Sequence, residues 1–266
     1  MPIRDSREGL TSMATQQRFD DAWSDLRTTD ASFHQLRDAS GWYRPESGWT
    51  MLPDPSLFTH SVGINRTDRI IGHFASTRMG ISLPFHSSLE HDWLQLLDVA
   101  PEVERFHVQP PTLAYRLAGE TRHYTADTLV ILDGAPTMVE VKYEDDATSS
   151  ENLARWPAIR DHFAERGFGF KIVTERFVRA EPRLSNVQYL HLFRGWQPDA
   201  EFAFAVALAL QGGRRIPLGE LAAEFERPLH AQQFLLGLVL RRYLRLDLDV
   251  PISADSSIWL SPGRPG

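Results

Sequence analysis

The run "TADTLVILDGAPTMVEVKYEDD", residues 125–146, decides how this chain is read. Two β-rich stretches, "HYTADTLVIL" and "TMVEVKY", flank Asp133-Gly134, a dipeptide that favours a tight hairpin turn. A loop of two or four residues makes the pairing sum odd, which puts Asp127 on the same face as Glu140 and Lys142. The opposite face is expected to hold Tyr124, Ala126, Val130, Leu132, Val139, Val141 and Tyr143. Two carboxylates about 5 Å apart repel by about 3 kcal/mol at an effective dielectric of about 20, so the arrangement wants a cation. Oxygen ligands favour Mg²⁺. The competing reading is a plain hairpin whose charged face is solvated.

A third acid bears on the choice. In "FHSSLEHDWLQLLDVAP" a helix begins after the serines, with Leu89, Trp93, Leu96 and Leu97 as its apolar stripe. Glu90 falls on the inward side of that helix, apart from the polar stripe of Asp92, Gln95 and Asp98. Ser87-x-x-Glu90 also spells a capping box, which would give the glutamate a purely structural task.

Composition narrows the chemistry. The chain has 266 residues, 42% hydrophobic and 24% charged, enough for a substantial core in one large and one small unit. It has no cysteine, which removes disulfides, thiolate metal sites and cysteine nucleophiles together. The apolar run "FAFAVALAL" is about half of a bilayer span, and no basic segment with an apolar h-region opens the sequence, so a cytoplasmic location is expected. A net charge of −7 argues against a free-standing, nonspecific nucleic-acid binder; any DNA is expected to be presented by a partner.

Residues 1–60 are polar and broken by "RPESGW" and "LPDP", with "QQRFDDAWSDLR" the one helical hint, and read as a partly disordered N-terminal arm. Residues 61–198 alternate helical and strand patterns, the rhythm of a mixed α/β domain. From 199 to 266 three helices precede a β-ribbon, "LRLDLDV" and "SSIWLSP", which suggests a winged helix.

The ordered set of Ser76-x-Arg78, the helix glutamate Glu90, the acidic exit "LLDVAPEV", Gln109-Pro110 and the Asp127…Glu140-x-Lys142 hairpin resembles the TnsA-type endonuclease subunit of heteromeric, Tn-seven-like transposases. That family belongs to the PD-(D/E)xK nucleases. One departure is Ala126, where the name-giving proline often stands. The resemblance implies a restriction-endonuclease-like α/β core over 61–198, with Glu90, Asp127, Glu140 and Lys142 as catalytic residues. It implies Mg²⁺, replaceable by Mn²⁺, held by Asp127 and Glu140 with the Val141 carbonyl and Glu90 as further oxygen sources, Glu90 directly or through water. Gln109 would support the site or contact the DNA backbone.

The implied partners are DNA at the transposon ends, a DDE-type transposase subunit and an AAA+ ATPase regulator. Two alternatives stay open: a stand-alone restriction or defence nuclease, and a non-catalytic assembly subunit. The winged helix also has two readings. Arg241, Arg242 and Arg245 would serve DNA, but residues 200–266 carry seven basic and seven acidic side chains, a balance equally suited to docking protein.

Overall fold

The computed structural model describes residues 70–110, 112–132 and 134–261. The expected N-terminal arm and its candidate helix lie outside them. At the centre is a four-stranded sheet in the order β3-β6-β7-β8, formed by β3 (Val103–Val108), β6 (Thr128–Leu132), β7 (Ala135–Val141) and β8 (Gly169–Val173). The hairpin registers as its turn chemistry requires: Leu132 pairs with Ala135 across a two-residue loop, Thr128 pairs with Val139, and Gly134 takes φ 82°. The pair β7–β8 is parallel, so a crossover must join the two strands. It comprises α2 (Glu144–Ala147) and α3 (Ser150–Ala164), the latter capped by Ser149 and followed by Gly167 at φ 76°.

Both faces of this sheet are covered. On one side α1 (Ser88–Val99) brings Trp93 and Leu97, both 0% exposed, against Val130, Leu132, Val139 and Val141. On the other, α3 lays Trp156, Ile159 and Phe163 over Leu129 and Met138. The polar face expected of the hairpin is therefore not solvated: Glu140 is 4% exposed. Ahead of α1 stands a small hairpin of β1 (Gly72–Ala75) and β2 (Ser82–Phe85).

A second ribbon, β4 (Leu113–Leu117) with β5 (Glu120–Tyr124), is inserted between β3 and β6 as a separate two-stranded sheet. It corrects one expectation. "HYTADTLVIL" is not a single strand, because Tyr124 ends β5 and β6 begins only at Thr128. Strand alternation does not carry through the connection, and Tyr124 and Ala126 join the cluster with Leu129 and Met138 instead of the face with Val130.

After β8 come α4 (Glu175–Val178) and α5 (Arg183–His191). The C-terminal part is α6 (Ala200–Ala209), β9 (Ile216–Pro217), α7 (Leu218–Ala223), α8 (Pro228–Leu240), β10 (Leu244–Leu246) and β11 (Ser257–Leu260), its strands forming an antiparallel sheet in the order β10-β11-β9. One buried cluster runs from Phe74 and Trp93 through Leu190 to Leu221, Leu236 and Ile258, so the two parts share core residues rather than each owning a set. The loop between β10 and β11 folds back onto α5. Asn186 donates to the carbonyls of Leu248 and Val250 and accepts from Ile252 N–H, and Arg183 pairs with Asp249 at 2.8 Å. No helix among the described residues is long and apolar enough to cross a membrane.

Candidate active site

The hairpin register, continued by one step from Thr128–Val139, sets Asp127 across from Glu140. Asp127 stands at the bend where the chain leaves the β4–β5 ribbon and enters β6. Its Oδ2 accepts from the Val141 N–H at 2.7 Å, and its carbonyl accepts from the Gln109 N–H at 2.8 Å, closing the base of the ribbon. Glu140 lies deeper. One of its oxygens is 3.0 Å from Lys142 Nζ, and the other accepts from the Tyr124 hydroxyl at 2.5 Å.

The electrostatics follow from these contacts. Burial, then the charges of Glu140 and Glu90, push the Asp127 carboxyl well above the ordinary aspartate value; the Val141 N–H and Lys142 offset this only in part. Burial opposes the charge on Lys142, but Glu140 and Asp127 outweigh it and hold the ammonium's pKa above the usual lysine value. Burial and the Glu140 charge push the Tyr124 phenol up, so it stays a donor.

Glu90 does two things at once. The capping box is formed: Ser87 Oγ accepts from Glu90 N–H at 3.1 Å, and the Glu90 carboxylate accepts from His86 N–H at 2.9 Å and from the Ser87 hydroxyl at 3.1 Å. The same carboxylate lines a small cleft with Gln109, Asp127 and Thr128, close enough to act on Asp127. The cleft wall is pinned by Trp93 Nε1–H donating to Thr128 Oγ1 at 3.0 Å. Gln109 sits at φ 48°, a left-handed value that disfavours non-glycine residues, with its amide against the His86 ring at 3.1 Å.

The structure thus sets Glu90, Asp127 and Gln109 around one cleft, with Glu140 and its ion-paired Lys142 joined to that group through Asp127 across the hairpin. Among the described residues no group of three histidine or acidic side chains converges in ligand geometry. The donor chemistry nevertheless suits a hard divalent cation, because Asp127 and Glu140 oppose each other across the hairpin with Lys142 offsetting both, and Glu90 adds a further negative charge acting on Asp127.

Sequence reasoning missed Tyr124, which it placed on the other face. The signal lay upstream: Ala118-Gly119, at φ 51° and 85°, turns β4 into β5 and pairs Leu113 with Tyr124, which ends that ribbon before Asp127. Arg179 donates to Asp92 at 2.7 Å, Ser88 Oγ at 3.0 Å and Tyr143 at 3.1 Å, so it ties α4 to the start of α1 and the end of the hairpin.

The three C-terminal arginines that would serve DNA are also engaged within the chain. Arg241 donates to the carbonyls of Arg194, Trp196 and Gly237, Arg242 to that of Val103, and Arg245 lies 4.0 Å from Glu102.

No curated protein matches the chain. Residues 100–175 match the family model described as TnsA-like endonuclease N terminal, a span that takes in Gln109, Asp127, Glu140 and Lys142 and begins after Glu90. The mixed α/β architecture around that span fits a PD-(D/E)xK-like nuclease fold. From β3 to the start of α4, therefore, the chain is similar to the N-terminal endonuclease domain of TnsA-like proteins.

Proposed function

We propose that the chain is a Mg²⁺-dependent DNA endonuclease subunit of a transposase, hydrolysing a phosphodiester of the non-transferred strand at transposon ends. It would work beside a DDE-type transposase and an AAA+ ATPase regulator. The observation that carries the reading is the buried Glu140–Lys142 pair facing Asp127 across a hairpin within the matched domain. Asp127, Glu140, the Val141 carbonyl and Glu90, directly or through water, are the residues that would hold the ion. When bound, Mg²⁺ supplies Lewis acidity and charge neutralisation at the phosphodiester.

The protein's own groups have separable tasks. The Tyr124 hydroxyl fixes the rotation of the Glu140 carboxylate. Lys142 keeps a compact positive charge beside the acids, where it can orient a water and offset negative charge developing on phosphorus. Glu90 is held at the cleft by its cap, so its oxygen is placed before any ligand arrives.

The order helix, strand, helix, helix, strand, strand over residues 200–260 supports reading the C-terminal part as a winged helix. The internal engagement of Arg241, Arg242 and Arg245 supports a protein-docking task for it over DNA contact.

The test is a strand-nicking assay on transposon-end DNA with the partner transposase, paired with thermal melting. Mg²⁺ at about ten times its Kd is expected to stabilise the wild type by about 1.4 kcal/mol, and Asp127→Ala to lose both that shift and cleavage. A wild type that neither nicks nor shifts with millimolar Mg²⁺ or Mn²⁺ overturns the reading.

A further inference from the structure

The β4–β5 ribbon is rooted in the candidate active site, since the Gln109 N–H to Asp127 carbonyl bond closes its base. Its two faces differ sharply. The inner face puts Tyr115 and Tyr124, 6% and 8% exposed, and Leu117 onto the apolar cluster under α3. The outer face presents Ala114 paired with His123 and Arg116 paired with Thr121, all exposed, with Thr112 and Thr125 bonded to each other at the base. No acid lies on that outer face. The ribbon's one carboxylate, Glu120, belongs to the inner register, where it meets Arg122 at 3.4 Å. In a chain with 35 acidic and 28 Lys or Arg residues, a strand face with an arginine, a histidine and no acid, beside the candidate catalytic acids, departs from the overall negative balance.

Dimensions agree with one ligand. Five-residue strands extend about 17 Å, which is about five base pairs of duplex. The tight turn at Ala118-Gly119, with both φ values positive, gives the ribbon the right-handed twist of a two-stranded hairpin, an element that the major groove admits. Small residues near the base let the backbone approach, and Arg116 near the tip can reach a phosphate or a guanine edge.

We propose that the outer face of the β4–β5 ribbon seats in the major groove of the duplex beside the scissile phosphate, with Arg116 and His123 as its contacts, and so helps set where the strand is cut. The inference rests on the nuclease reading above. It assigns the ribbon a duplex-DNA partner, distinct from the acids that perform the chemistry.

The test uses the full chain and a 30-base-pair transposon-end duplex, with binding followed across a salt series and cleavage recorded in parallel with the partner transposase present. Arg116→Ala should weaken binding about tenfold and make the slope of log K against log salt shallower by about 0.9. Arg116→Lys should recover part of the affinity, and a double variant with His123→Ala should lose more than Arg116→Ala alone. Arg160→Ala, which removes an exposed arginine ion-paired to Asp161 on α3, should bind like the wild type. Wild-type affinity in Arg116→Ala, with cleavage intact, overturns the ribbon proposal and leaves the nuclease reading standing. Loss of partner-protein capture with DNA affinity retained also overturns it, making the ribbon a protein-docking element. A wild type that binds the duplex but never cleaves it overturns the nuclease reading instead.

Discussion

Helix α1 has a buried acid cluster at each end, and the two are opposites. At its C-terminus Asp98, 1% exposed, is saturated with donors: the Ser76 hydroxyl, the Thr77 N–H at 3.0 Å and the Arg78 N–H at 3.0 Å. The Arg78 guanidinium then covers the carbonyls of Asp98, Ala100 and Val103, a cation at the negative end of a helix. Near its N-terminus Asp127 and Glu140 share one ammonium, and Asp127, with Glu90 also acting on it, bears the excess repulsion. A carboxylate whose donors are all supplied is architecture. One left in unrelieved repulsion has the capacity for another cation.

The sharpest way to break this contrast is Lys142→Ala. If the second cluster is chemical, strand cleavage should fall about 10³-fold, about 4 kcal/mol of barrier, while Mg²⁺ binding by calorimetry persists or tightens. Full cleavage by the variant would return Lys142 to being a structural counter-ion and erase the distinction between the two ends. Asp98→Ala should give the converse pattern. Three donors lose their acceptor, so stability should drop by about 3 kcal/mol in urea melts, yet cleavage per folded molecule should hold. A variant that melts like wild type would mean that the donors find water and the cluster is not what locks the helix.

The smallest effect is expected from Asp127→Asn. It removes one of two opposed charges while keeping an acceptor for Val141, and should stabilise the metal-free protein at pH 7 by about 1 kcal/mol, the pair repulsion being reduced by the half-buried position of Asp127. Its pH dependence has a definite sign. Asp127 has a folded-state value above its ordinary 3.8, so the native state binds the extra proton. Its contribution is fully present below the unfolded value and is lost as pH rises through the raised folded value. Wild-type stability relative to the asparagine variant should therefore decline upward from about pH 4 and then level off, with Mg²⁺ cancelling the decline. A flat difference would show that Asp127 carries no unrelieved repulsion.

Much of this was legible in the residues. The odd pairing sum followed from a turn that Asp133-Gly134 kept to two residues, and it brought Asp127 and Glu140 together across the hairpin. Ser87-x-x-Glu90 announced a cap, and the cap formed, but a local motif cannot say what lies across the cleft from it. What escaped was non-local. Tyr124 changed faces because three residues of irregular chain reset the strand alternation, and the burial of Glu140 depended on α3, whose arrival over that face no two-residue period encodes. Ser76, Arg78 and Asp98 entered the family resemblance beside the candidate acids Glu90, Asp127 and Glu140. Only their contacts show that they fasten a helix.

That fastening has a mechanical side. Helix α1 is a rod of 12 residues, about 18 Å long, with Glu90 in its first turn. Its far end is bolted at Val103, whose carbonyl receives both Arg78 and, from the C-terminal part, Arg242. No slack linker intervenes there, because the two parts share one core. A pull on the C-terminal part would therefore be felt as strain along the rod, and its opposite end is the end that carries the glutamate.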